Sequence, residues 1–267
     1  MNETLRVIEN RRSVRNYTLT PITTEEKQAI LHAAMRAPTA GNMMLYSILE
    51  IDDQALKDRL AVTCDNQPFI AKAPLVLLFV ADYQRHHDFF EYCGVEAKCK
   101  EENISPRPPQ EGDMLLACCD ALIAAQTAVL AAESMGIGSC YIGDILENYE
   151  VHRDLLDLPP YVLPITMVCF GRPAVVREET RPTSRFDPEL VVFKDKYHRL
   201  TGTDFDQMMR PAAEHNLPEM QLSDAVKELG RRLYLRKFVS DFSVEMTRSA
   251  REMRSEERRV GKECRSR

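Results

Sequence analysis

Arg11, Arg12, Ser13 and Arg15 fall within five consecutive positions of "ENRRSVRNYT", directly after a short amphipathic run. Guanidinium forks and a hydroxyl suit the three acceptor oxygens of a phosphate. The competing reading is a surface charge run paired with nearby glutamates. A second stretch, "APTAGNMMLYSILEI" (37–51), sets the small turn formed by Pro38, Thr39, Ala40, Gly41 and Asn42 ahead of a strand, which would let backbone approach a planar ligand closely. A third, "GIGSCYIGDI" (136–145), places glycines at 136, 138 and 143. It fails as a dinucleotide-binding fingerprint, because Tyr141 stands where the third glycine belongs. It also fails as a nucleophile elbow, since the final glycine is wrongly spaced.

Two other sets of residue types suggest different chemistry. Cys140 with His152 as its base would make a cysteine hydrolase, although a core thiol is the commoner fate of Cys in such a run. His86, His87, Cys93 and Cys99 are metal-capable, but adjacent histidines and a five-residue gap between the cysteines do not match structural zinc spacing. The segment 86–110 reads better as a lid over a ligand.

The elements that must position these groups are those of an ordinary globular chain of 267 residues, 44% hydrophobic and 28% charged. A net charge of -6 argues against nucleic acid or an anionic membrane as partner, because both need a broad basic face. The basic cluster at 11–15 is therefore a local feature. Eight cysteines without a CxxC pair, behind an N-terminus lacking a signal-peptide core, indicate reduced thiols in a cytoplasm. Residues 3–9 and 24–35 have helical spacing, the second behind a Thr-Thr-Glu-Glu start signal. "YSILEI" (46–51), "PLVLLFVA" (74–81) and "PITMVCF" (164–170) read as strands. "MLLACCDALIAAQTAVLAAESMG" (114–136) approaches a membrane span, but Asp120, Gln126 and Glu133 interrupt it, and its alanines suit a buried helix that a subunit interface can cover. Long helices between the strands predict a central sheet with helices on both faces. Beyond Pro173 a polar arm leads to helical stretches such as "LSDAVKELGRRLYLRKFVSDFSVEM".

Taken in order, "RRSVRNY", "APTAGN", "NQPFIAKAPLVLLFVAD", "GIGSCYIGDI" and "VCFGRP" resemble the nitroreductase family of FMN-dependent NAD(P)H oxidoreductases, over residues 1 to about 193. The resemblance implies an α+β fold with a central mixed sheet, built as an arm-exchanged homodimer with FMN at the subunit interface. It assigns Arg11, Arg12, Ser13 and Arg15 to the ribityl phosphate and polar ring edge. Pro38, Thr39, Ala40 and Asn42 would reach the partner's flavin, and Gln67 the ring or ribityl chain. Tyr141, Ile142 and Gly143 would lie along the ring, in a loop with a backbone N–H near N5. Arg181 and Arg185 are candidates for a second phosphate clamp, although they are four apart where the family pattern has a basic pair two apart. Gly143-Asp144 also stands where the family often carries Glu-Gly. "ELVVF" (189–193) resembles the strand that such an arm adds to a partner's sheet.

The implied activity is hydride transfer from NADH or NADPH through flavin N5 to a small electron-poor acceptor, such as a nitroaromatic, quinone, flavin or enone, in two half-reactions. No catalytic side chain and no metal ligand is assigned, because the cofactor carries the chemistry. A non-catalytic flavin-binding sensor is the rival within the same resemblance. The expected division is 1–193 for the flavin-binding domain with its arm, 194–253 for a helical extension, and 254–267 for a non-native tail. That tail, "RSEERRVGKECRSR", resembles an in-frame translation of a sequencing adapter and, offering little apolar area to bury, is expected to be disordered.

Overall fold

The two most apolar runs of the chain become the two central strands of its sheet. In the computed structural model, residues 1–175 and 184–263 are described, with side chains through 254. The strands are β1 (Tyr46–Glu50), β2 (Leu75–Asp82), β3 (Gly138–Ile142) and β4 (Val162–Gly171), in the order β1-β2-β4-β3. Helices α1 (Glu3–Asn10), α2 (Thr24–Met35), α3 (Gln54–Thr63), α4 (Phe69–Lys72), α5 (Gln84–Tyr92), α6 (Val95–Glu101), α7 (Glu111–Ser134) and α8 (Tyr149–Leu155) lie between or before them. Then follow α9 (Gly202–Asn216), α10 (Leu222–Lys237) and α11 (Asp241–Glu263).

All three strand pairings are antiparallel, so the expected mixed sheet is corrected to an antiparallel one. Helix-containing connections do not by themselves impose parallel pairing, and here each returns the chain against its neighbour. Among the described residues, the one parallel contact at the sheet is an isolated bridge between Ser13 and Ser139. β4 begins at Val162, earlier than Pro164 suggested, because the register shifts between Phe79 and Val80 and Pro164 falls at that irregularity, where its missing N–H is tolerated.

Both faces of β2 are buried, as expected of a continuous apolar strand. Leu75, Leu77 and Phe79 meet α2 and α7 on one face, through Ile30, Ala121, Ala124 and Ala128. Val76, Leu78 and Val80 meet Leu60 and Ala61 of α3 on the other. Helix α7 is the one described helix long and apolar enough to cross a membrane. Its alanines face the sheet, while Leu115, Leu116, Leu122 and Ile123 are exposed, so the expected buried helix is buried on one side only.

The chain divides into two compact units, Met1–Arg177 with Glu245–Arg267, and Glu178–Val244. Within the second, α9 and α10 pack through Ala213, Ala225 and Val226. "ELVVF" forms no strand here: Pro188–Leu190 is a 3-10 turn. The continuous helix suggested by "RKFVSDFSVEM" is broken between Lys237 and Asp241. The tail also differs from expectation, for α11 continues as helix through Glu263. From Glu245 onward it belongs to the first unit. Glu245 accepts from Asn148 N–H at 3.0 Å, Ser249 accepts from Tyr149 N–H at 2.9 Å, and Met253 is buried beside Leu45, Ala117 and Tyr149.

Candidate active site

Helix α1 ends at Asn10, and the chain then runs extended along the outer edge of β3. Val14 N–H donates to Ser139 O at 2.8 Å, Thr18 N–H to Arg172 O at 2.8 Å, and Ala174 N–H to Asn16 O at 3.0 Å. This seam exists because two strand residues lack a Cβ. A methyl on Gly138 would sit 2.5 Å from Val14 Cγ2, and one on Gly171 would sit 2.4 Å from Tyr17 Cδ1. Buried Val14 anchors the segment, leaving Ser13 and Arg15 exposed on either side and Arg11 and Arg12 half-buried before it.

The predicted cluster therefore does converge on one edge of the sheet. Ser13 and Arg15 reach the Cys140 thiol, whose pKa burial raises against the pull of both arginines, Arg15 and Arg11. Burial likewise raises Glu133, against Ser139, Arg11 and Arg12, and pushes Tyr141 up to about 12, against Arg11. Among the described residues, neither Arg11 nor Arg15 forms an ion pair with a carboxylate. Arg15 lies over the Phe69 ring at 5.9 Å, a neighbour the sequence reading did not single out. Arg11 and Arg15 thus lack the ion-paired glutamate that a surface charge run needs, while Glu133 lies close enough for Arg11 and Arg12 to act on it.

Tyr141 and Ile142 belong to β3 rather than to a loop, with Gly143 exposed at the strand's end. Tyr141 donates its hydroxyl to Gln126 Oε1 at 3.1 Å. Gln67, between α3 and α4, reaches the end of this strand, for its amide donates to Asp144 at 2.7 Å and to Cys64 O at 2.9 Å. Asp144 is thus a partner of the site, and the Gly-Asp pair at 143–144 has a visible role in holding Gln67.

The turn at 38–45 is organised by Asp120, a residue met above only as an interruption of the apolar helix. Buried in α7, its carboxylate accepts from the Thr39 hydroxyl, from Ala40 N–H at 3.0 Å and from Leu45 N–H at 3.1 Å, while Thr39 Oγ1 accepts from Met44 N–H at 2.8 Å. Gly41, Asn42 and Met44 all have positive φ (56°, 58° and 51°), which pushes Pro38, Gly41 and Asn42 out to the surface. The signal was present: a carboxylate in a buried alanine-rich helix needs donors. Register places this turn at the Leu163 end of β4 and the arginine segment at the Gly171 end. Ser13 is level with Phe170, about 23 Å from Leu163 at ~3.3 Å per residue, whereas Tyr141 and Ile142, level with Val168 and Met167, are about 13–17 Å from it along the strand.

The remaining candidates resolve differently. Arg181 lies outside the described residues, and Arg185 belongs to the second unit, exposed, with Nη1 donating to Ser184 O at 3.3 Å. His152 is fully buried and bonded to Ile145 O at 3.0 Å and Thr63 Oγ1 at 2.9 Å; the thiol beside it, at 3.9 Å, is Cys64. Burial raises that thiol to about 12 and lowers the imidazole pKa. A Cys140–His152 couple does not form, so the hydrolase reading is corrected. Of the metal-capable set, Cys93 is exposed, and the grouping that occurs among the described residues joins His87 to Asp88 and Glu91 on the surface of α5. The 86–110 segment carries helices α5 and α6.

The sequence profile of the nitroreductase family matches residues 8–172. The chain belongs to the nitroreductase family. Its nitroreductase-family relatives include the FMN reductase (NADPH) of Bacillus subtilis, 31% identical over 85% of both chains. The oxygen-insensitive NADPH nitroreductase of Salmonella typhimurium is 32% identical over 75% of this chain and 77% of its own. The structure of the Vibrio harveyi NADPH:FMN oxidoreductase complexed with NAD+ has a TM-score of 0.71 and 26% identity, and the similarity covers 91% of this chain and 98% of that one. This nitroreductase-family chain thus shares the α+β fold of its relatives.

Proposed function

We propose that this chain is an FMN-dependent oxidoreductase that takes hydride from NADH or NADPH and passes it to a small electron-poor acceptor: a nitroaromatic, quinone, flavin or enone. The observation that carries the reading is the pair Arg11 and Arg15, set on the edge of β3 beside Ser13 without an ion-paired carboxylate among the described residues. Such donors in fixed positions are suited to a phosphate dianion. The names of the relatives agree: FMN reductase, NADPH nitroreductase and NADPH-flavin oxidoreductase.

When bound, FMN supplies hydride acceptance and donation at its N5. This chain's residues bind, orient and exclude. Arg11, Arg12, Ser13 and Arg15 would neutralise the phosphate and polar ring edge. Tyr141 and Ile142 would give the ring a rigid strand to lie against, and Gly143 would offer an unobstructed backbone N–H. Gln67, held by Asp144, would present its remaining amide oxygen. The 38–42 turn lies toward the other end of the sheet from the arginines, which supports a homodimer in which each copy lends its turn to the other. The exposed leucines and Ile123 of α7 suit such an interface.

Nucleotide and acceptor would use one open face in turn, giving ping-pong kinetics. The test is direct: purified protein is expected to be yellow with one FMN per subunit, dimeric by light scattering, and bleached anaerobically by NADH or NADPH. Double-reciprocal plots are expected to be parallel. Colourless protein that cannot be loaded with FMN overturns the reading, bound flavin that no nucleotide bleaches favours a sensor, and intersecting plots sink the shared face.

A further inference from the structure

Glu147 is buried, 6% exposed, and its Oε1 has no hydrogen-bond partner among the described residues. It lies at the end of the 3-10 turn Asp144–Leu146, where Glu147 N–H donates to Asp144 O at 3.1 Å and the i, i+3 spacing sets the two acidic side chains on one side of the turn. The groups facing it are also acidic or neutral. Asp65 comes from the loop after α3, Glu245 from α11, and the Cys64 thiol from the end of α3, while His152 bonds the Glu147 backbone. Among the described residues no Lys or Arg pairs with Asp65, Asp144 or Glu147; Arg248, the nearby cation, is committed to Glu150 at 2.7 Å and Glu245 at 2.8 Å. Two carboxylates cannot both stay ionised in such a place without a cation or a proton between them. These oxygens do not converge as a metal site, for the metal-capable grouping among the described residues is on α5. The proton remains.

We propose that Asp144 and Glu147 share one proton and that this pair, through the Asp144–Gln67 hydrogen bond, is a positioning device that sets the flavin affinity according to pH. The inference rests on Gln67 lying at the flavin, as in the reading above. With the proton in place, Glu147 donates to Asp144, and Asp144 keeps its second oxygen for the Gln67 amide. With the proton lost, the two carboxylates repel, the turn loosens, and Gln67 loses its fixed acceptor. Burial, with Asp144 and Asp65 beside it, raises the Glu147 pKa to about 7, so the change falls in the neutral range.

The experiment measures FMN dissociation by fluorescence from pH 5.5 to 8.5 for the wild type and Glu147→Gln, whose amide donates to Asp144 at every pH. Since the FMN phosphate titrates in the same range, the reading is the difference between the two proteins. The wild type is expected to weaken about three- to tenfold more than the variant across pH 7, the range one lost hydrogen bond supports. Asp144→Asn, which removes the like charge, is expected to shift the break below pH 7 and serves if Glu147→Gln does not fold. The same pH dependence in wild type and variant, with FMN bound by both, overturns the proton-sharing pair and leaves the flavin site standing. Failure of the wild type to bind FMN overturns both.

Discussion

Arg15 is held by backbone on either side and faces an aromatic ring rather than a carboxylate, so its charge is available. Arg15→Ala is expected to weaken FMN by about one to two decades, the equivalent of ~1.5–3 kcal/mol for a charge-assisted contact. Flavin fluorescence on dilution measures it, and unchanged retention removes the phosphate role. Glu147 adds a stability effect at the same scale. Its pKa is raised, so below its ordinary carboxylate value both folded and unfolded chains are protonated and nothing is lost. As pH climbs from there through about 7, the unfolded chain releases the proton first and stability falls. Glu147→Gln is expected to flatten that decline in urea midpoints between pH 5 and 8. The residue types and spacing of 11–15 made the cluster legible in the sequence. Asp120 and Glu147 were not, because their importance comes from which donors or like charges the fold brings to them across 75 or more residues in one case and from burial in the other.

At the scale of elements, the seam between residues 13–18 and the β3–β4 edge is the part most sensitive to a single carbon. Gly138→Ala would drive a methyl to 2.5 Å from Val14 Cγ2 and 2.9 Å from Val14 Cβ, which are buried and close to the backbone. The segment must move or the strand must bend, at a cost of about 1–3 kcal/mol. Both melting temperature and FMN affinity should fall, because the displaced segment carries the arginines. Gly112→Ala, in the first turn of α7 with open space around it, is the control: FMN affinity should hold and melting temperature should stay level or rise slightly. Hydrophobic runs announced β1, β2 and β4, and capping signals announced α2. Strand direction was not legible, since connections with helices permit either hand of pairing. Nor was the extent of α11, where propensity of a charged run continues a helix that tertiary contacts have already started at Ser249 and Met253.

At the scale of the molecule, the first unit is closed by both ends of the chain, α1 and its following segment on one side and α11 on the other. Ending the chain after Met253 keeps Glu245, Ser249 and Met253 in place and removes Arg254, whose contact to Glu111 at 3.5 Å is exposed. An ion pair of that kind contributes about 1 kcal/mol at most. Melting temperature, flavin content and turnover should therefore stay near those of the full chain, whereas ending it at Phe242 should destabilise the unit by stripping Leu45 and Tyr149 of their cover. A marked loss on the shorter deletion would show that residues 254–267 contribute to the fold.

The position of β2 in the sheet also sets the order in which this protein can be assembled on the ribosome. One of its neighbours, β1, is translated before it, but the other, β4, lies beyond the helices of residues 83–161. At ~5–20 residues per second, roughly 4–16 s of synthesis separate the two strands. Throughout that interval the strand Leu75–Asp82, apolar on both faces up to its final aspartate, has one hydrogen-bonding edge unsatisfied. The nascent chain is at its most adhesive just when it is half made, and the emergence of Val162–Gly171 supplies the partner that covers this edge.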